Sequence, residues 1–375
     1  MKTLKTGLLF TLLASQSFAK PLLVFVGAYA DKPEEGISVY TMCDKTGIMI
    51  PTTVLGGQQN PSFLEVHPNG KFLYAVNEIA NFNGEQNNGA ISSYSLDPKT
   101  GKLGLLNQQP THGAAPCHVS ISKDGKSALV ANYTGGSVVS YKINEDGTLS
   151  KPVSFYHHEG SSVTPRQKGP HGHSINLDPA NKFAFAADLG LDKIIIYGFD
   201  PKTSKLTNHS EAALPPGSGP RHFAITGDSK FAYSLNELTS TVTAFKFDPE
   251  KGELTQAQTL STLPTGYKGN NSTAEVRIHP NGNFLYCSNR GHDSVAVFKL
   301  NPKLGTLTPL QWQKTGGKTP RNFNITPNGQ FLVAAHQTSN DIIVHEIDSE
   351  TGLLTKTDNR VLTPRPVCIR FLEQN

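Results

Sequence analysis

Six segments of this chain, residues 61–78, 116–133, 173–189, 221–237, 274–290 and 321–337, repeat one design. Each is a short run alternating apolar and polar residues, a tight turn, and a second alternating run. A period of two marks a half-buried strand. The turns carry Asn-Gly, Asp-Gly or a similar pair, residues that tolerate the positive φ a tight turn demands. A third strand and a second turn follow each copy. These second turns begin at Asp97, Asn144, Asp200, Asp248, Asn301 and Asp348, and a seventh begins at Asp44. They lie 47 to 56 residues apart, and each period holds four short strands. That is the spacing of a propeller blade and not of a helical solenoid repeat.

The count closes at the chain ends. Residues 365–372 read as a seventh first strand, whereas residues 22–29 open with the pattern of a second strand. The last strand is therefore expected to complete the blade that the first strands begin, leaving no open sheet edge. The expected fold is all-β: a seven-bladed β-propeller of four-stranded antiparallel blades, one domain over residues 20–375.

Residues 1–19 stand apart. Lys2 and Lys5 precede an apolar stretch over 7–14, and Ser17, Phe18 and Ala19 offer a cleavage site, the layout of a secretory signal peptide. No later stretch is apolar enough for a membrane span. The net charge of +4 on a chain with 17% charged residues is small and dispersed, which argues against a nucleic-acid partner. Export raises the question of disulfides. Cys43, Cys117, Cys287 and Cys368 show no metal-site spacing, and the blade register keeps their strands apart, so free thiols are expected. Asp and Asn in the second turns suit ordinary hairpin chemistry, and the ligand series of a calcium loop is absent.

With strands a to d numbered outward from the channel, the starts of a and the ends of b share one face with the b–c loops and the d–a connections. The long loops 80–89, 157–172 and 263–273 also fall there, and binding residues concentrate on such loops. Aligning the repeats by their a–b turns puts Ser62, Cys117, His173, Arg221, Ala274, Arg321 and Arg365 at the starts of a. Tyr29, Glu78, Tyr133, Leu189, Glu237, Arg290 and Gln337 fall at the ends of b. Arg277, three residues into its strand, is expected to reach the same funnel. Salt bridges between blades would account for any single pair. Four arginines against two glutamates leave excess positive charge, which favours an anionic ligand. His171 and His173 flank one glycine, a spacing some metal sites use, but no third ligand is apparent. Proton transfer suits an imidazole here, and no metal or other cofactor is expected.

At these residues the chain resembles the β-propeller lactonase family, which includes bacterial 6-phosphogluconolactonases and fungal carboxymuconate-lactonizing enzymes. The resemblance rests on GPHGHSINLDP from Gly169, GPRHFAI from Gly219 with Leu235-Asn236-Glu237, EVRIHPNG from Glu275 with SNRGHDS from Ser288, and TPRNFNI from Thr319. It implies His173, Arg221, Glu237 and Arg290 as the catalytic group. The expected activity is hydrolysis of a sugar-acid lactone, a small anionic substrate. Glu237 or His173 would be the general base, Arg221 and Arg290 would stabilise the oxyanion, and His171, Arg277, Arg321, Arg365 and Glu78 would bind substrate. A lactonizing cycloisomerase and a non-catalytic exported binding propeller are the alternatives. Phosphorylated sugar lactones are cytosolic intermediates, so an export signal bears on the phosphate ester more than on the lactone chemistry. Export, expected to the periplasm, predicts a mature chain beginning at Lys20. N-terminal sequencing of protein from the cell envelope checks this, and Met1 on soluble cytoplasmic protein would contradict it.

Overall fold

The alternating runs become strands in seven four-stranded antiparallel sheets, seen in a computed structural model that describes residues 21–30 and 32–374. The expected signal segment lies outside the described residues. In six sheets the strands follow chain order outward, as in Pro116–Ile121, Ser127–Asn132, Ser137–Ile143 and Leu149–His157. The seventh holds both ends of the chain. Its order is Pro366–Glu373, Pro21–Ala28, Gly36–Cys43 and Met49–Gly56, and Leu22 pairs with Glu373 while Ala28 pairs with Pro366. The first strands of successive sheets touch one another all the way round, Pro366–Glu373 against Leu64–Val66 included. The result is a closed seven-bladed propeller, as expected.

One contact between blades recurs. The hydroxyls of buried Tyr74, Tyr233 and Tyr286 donate to the carbonyls of Gly147, Gly305 and Gly352 in the next blade, at 3.0, 2.9 and 2.8 Å. Only glycine fits there. Its φ is positive (82°, 69° and 73°), and a Cβ would come within 2.4 Å of Phe72, Phe231 or Phe284. In turns of this class the side-chain oxygens of Asp97, Asp200, Asp248, Asn301 and Asp348 accept the N–H two residues on, at 2.9–3.0 Å. These oxygens hold the turn. The four cysteines are unpaired. Pro21–Ala28 separates Cys43 from Cys368 within their common sheet.

The first strands are irregular at the end that carries the long loops. Cys117, His173, Arg221, Arg321 and Val367 are each skipped in the pairing with the second strand, and in a sixth blade Ala274 and Glu275 are skipped together. Each is a β-bulge, which re-aims a side chain that regular pairing would turn into a sheet face. In the remaining blade the strand starts only at Leu64, so Ser62 and Phe63 precede it.

The closing strand buries Val367, Cys368 and Ile369. Each apolar side chain contributes about 1.5–3 kcal/mol, against a typical total of about 5–15 kcal/mol. Deleting residues 366–373 is therefore expected to abolish the cooperative thermal transition. Circular dichroism melting checks this, and a truncated protein that melts at the parent temperature would contradict closure by this strand.

Candidate active site

At the bulged mouth of the channel Glu237 is buried and surrounded by guanidinium groups. Arg221 Nε and Arg290 Nη2 reach its Oε2 at 2.9 and 3.0 Å, and Arg166 Nη2 lies 3.3 Å from Oε1. Burial alone would raise the Glu237 carboxyl. The charges of Arg290, Arg221, Arg166 and Arg321 outweigh it and hold the group at about 2. Glu237 is thus an anion near neutral pH. Burial pushes Arg290 below its ordinary value, and the charges of Arg221 and Arg321 add to this against the pull of Glu237.

Glu78 has the opposite setting. Tyr29 donates its hydroxyl proton to Glu78 Oε1 at 3.1 Å and accepts from Arg321 Nη2 at 3.0 Å. Burial raises the Glu78 carboxyl, and the Arg321 charge offsets this only in part. His173 is buried beside Cys117, its Nδ1 3.5 Å from Sγ. Burial and then the Arg221 charge hold His173 well below the usual imidazole range, so it is neutral near pH 7. Burial pushes the Cys117 thiol up, so it is no thiolate nucleophile. Tyr29, Glu78, Cys117, His173, Arg221, His222 and Arg321 are among the residues lining a cavity of about 10 Å³.

His173, Arg221, Glu237, Arg290, Arg321 and Glu78 thus stand together where the repeat register put them. His171 stands at the rim: its ring stacks on Tyr133 at 4.6 Å, and its Nδ1 lies 3.0 Å from the Tyr133 carbonyl. Two expectations fail. Arg365 is two residues out of register, because the bulged residue of the closing strand is Val367. Arg365 instead lies on the d–a connection, its Nε donating to the Tyr29 carbonyl at 3.0 Å. Arg277 lies beyond the bulge of its strand and lines a cavity of about 460 Å³ at the opposite mouth, with His118, His222 and Glu275.

One residue was missed. Arg166, on the 3₁₀ turn Pro165–Gln167 inside the long loop, reaches Glu237 and donates from Nε to the Tyr133 hydroxyl at 2.9 Å. Loop position gives no repeat offset to count from, so only the loop itself could be flagged.

Of the donors around Glu237, several have no protein partner among the described residues. Arg221 binds through Nε and Nη1, leaving Nη2; Arg290 binds through Nη2, leaving Nη1 and a buried Nε. The arrangement can therefore accept a developing negative charge beside a neutral imidazole and a carboxyl of raised pKa. No group of three or more His, Cys, Asp or Glu among the described residues is placed to hold a metal ion.

Residues 23–371 match the family described as lactonase, 7-bladed beta-propeller. A 6-phosphogluconolactonase of Bacillus subtilis is 33% identical over 350 residues, covering 93% of this chain and 98% of its own. Among solved structures, a periplasmic gluconolactonase of Pseudomonas aeruginosa superposes with a TM-score of 0.88 at 33% identity, covering 95% of this chain and all of its own. A putative 6-phosphogluconolactonase of Bacteroides fragilis gives 0.87 at 35% identity, covering 94% and 98%. The chain belongs to the seven-bladed β-propeller lactonase family.

Proposed function

We propose that the protein hydrolyses a sugar-acid lactone to the free acid, and that it does so after export, in the periplasm. The observation that carries the chemistry is the set of uncommitted guanidinium N–H groups around a cavity flanked by Glu78 and His173. The curated and structural relatives support the substrate class. The signal-like N-terminus and the periplasmic gluconolactonase relative support export.

A cavity of about 10 Å³ is on the scale of one water molecule. The lactone sits above it, its carbonyl oxygen toward Arg221 Nη2 and Arg290 Nη1. Glu78 takes a proton as the water oxygen bonds to the carbonyl carbon, and neutral His173 orients that water. The two guanidiniums stabilise the oxyanion. When it collapses the ring C–O bond breaks, and the leaving alkoxide takes the proton back from Glu78. Glu237 is not the base, because a carboxyl held at about 2 binds a proton too weakly near neutrality. Its role is to align three guanidiniums. Arg166, whose side chain is 53% exposed, and Arg321 hold the polar and anionic part of the substrate.

Arg221→Ala or Arg290→Ala should lower kcat by roughly 10²–10³-fold per folded molecule, measured by acid release from purified lactones. Unchanged turnover would reduce the cluster to a structural ion-pair network. Glu78→Gln should remove the acid limb of the kcat/KM profile and most of the activity, while chelator leaves the wild type unaffected.

Glu237 also links folding to pH. Its folded value of about 2 lies below the ordinary 4.5, so its stabilisation is present above that value and fades as pH falls toward 2. The gap, on the order of 3 kcal/mol, predicts that wild type is more stable than Glu237→Gln at neutral pH. The difference should close between about pH 4.5 and 2 in denaturant titrations. A difference that is constant with pH would contradict the ionised role.

A further inference from the structure

Arg221 and His222 are consecutive, and in a regular strand their side chains would point to opposite faces. Because Arg221 is the bulged residue, they meet: Arg221 Nη1 donates to His222 Nε2 at 3.1 Å. On its other side His222 Nδ1 lies 3.1 Å from Glu275 Oε1. A guanidinium can only donate and a carboxylate can only accept. The imidazole between them is therefore neutral, with its proton on Nδ1 and its lone pair toward Arg221. All three side chains are buried.

The electrostatics agree. Burial drives His222 down to about 4, with Glu275 pulling upward and Arg221 adding to the fall. Burial would raise Glu275, but the charge of Arg277 and the hydrogen bond donated by His222 hold it at about 2. Glu275 is itself fixed: it accepts from the Val276 N–H at 3.1 Å and from Asn322 Nδ2, and Arg277 Nε lies 3.4 Å away.

We propose that His222 and Glu275 form a positioning dyad for Arg221, one that orients its guanidinium for the oxyanion. This rests on the lactonase reading above. Arg221 Nε is held by Glu237, and Nη1 by both His222 and the Ala274 carbonyl at 2.6 Å. The fork is planar, so three fixed points prevent its rotation and present Nη2 alone to the carbonyl oxygen. Glu275 fixes the imidazole tautomer. With the other tautomer, an N–H would face the guanidinium and the contact would become repulsive. Neither residue is one that the repeat alignment placed at the mouth, yet together they set the direction of a donor that is.

The test combines kinetics with nitrogen NMR. His222→Phe keeps a ring against Phe63, His118 and His173, whose centroids lie 5.7, 5.5 and 5.5 Å away, but removes the acceptor. It should lower kcat by ~10-fold to ~100-fold with KM little changed. His222→Gln, which offers a carbonyl to Arg221 and an amide to Glu275, should recover most of the loss. Glu275→Gln should reproduce the kcat defect with Arg221 and His222 both in place, and it stands in if His222→Phe does not fold. In wild-type protein labelled at histidine and arginine nitrogens, His222 should carry its proton on Nδ1. The Arg221 guanidinium should rotate slowly, and faster in whichever dyad variant folds. A proton on Nε2, unchanged rotation, or unchanged kcat in the folded variants overturns the dyad. If the wild type hydrolyses no lactone in the panel, the lactonase reading fails, and the tautomer and rotation measurements still decide whether Arg221 is held this way.

Discussion

Seven first strands converge on one narrow axis, and whatever they point inward loses its water together. That shared desolvation governs the site more than any single contact. Isolated buried charges are costly, so charged residues at the mouth persist only in mutual compensation. Arg221, Arg290 and Arg166 gather on Glu237, and Arg321 reaches Glu78 through Tyr29. The compensation is uneven. Two carboxyls near one another end on opposite sides of their ordinary value, one held low by guanidiniums and one raised by burial. Separated values of this kind divide the labour between a fixed anion and a proton carrier.

The fold was legible because every blade announces itself by the same turn, and turns report φ requirements that few residues meet. Much of the site was legible for the same reason. His173, Arg221, Glu237, Arg290, Arg321 and Glu78 each stand at a fixed offset from an a–b turn, so alignment brought together residues far apart in the chain. The failures lie where the repeat offset is broken or missing. The closing strand has no a–b turn of its own to count from, so Arg365 was aligned where Val367 stands. Arg277, three residues into its strand, was expected to reach the mouth, but beyond the two skipped residues it lines the cavity at the far end of the channel. Arg166 belongs to a loop, where no periodicity exists to read.

The bulges also explain why the mouth is chemically varied while the blades are nearly alike. A residue removed from the ladder owes nothing to the pleat, so its identity is not dictated by packing between sheets. Cysteine, histidine, arginine and valine all occupy the equivalent place here. The repeat supplies the scaffold, and the bulged residues, together with Glu78, Glu237 and Arg290 at the ends of second strands, supply the chemistry.

Ring closure fixes where the chain ends emerge. Leu22 pairs with Glu373 at the end of the closing sheet remote from Ala28 and Pro366, which stand at the mouth. Both ends of the described chain therefore leave side by side from the face opposite the site. A tag, surface linker or fused domain joined directly at Pro21 or Gln374 leaves from that face. A protein anchored this way presents its funnel outward, and substrate approaches along a path that the attachment does not cross.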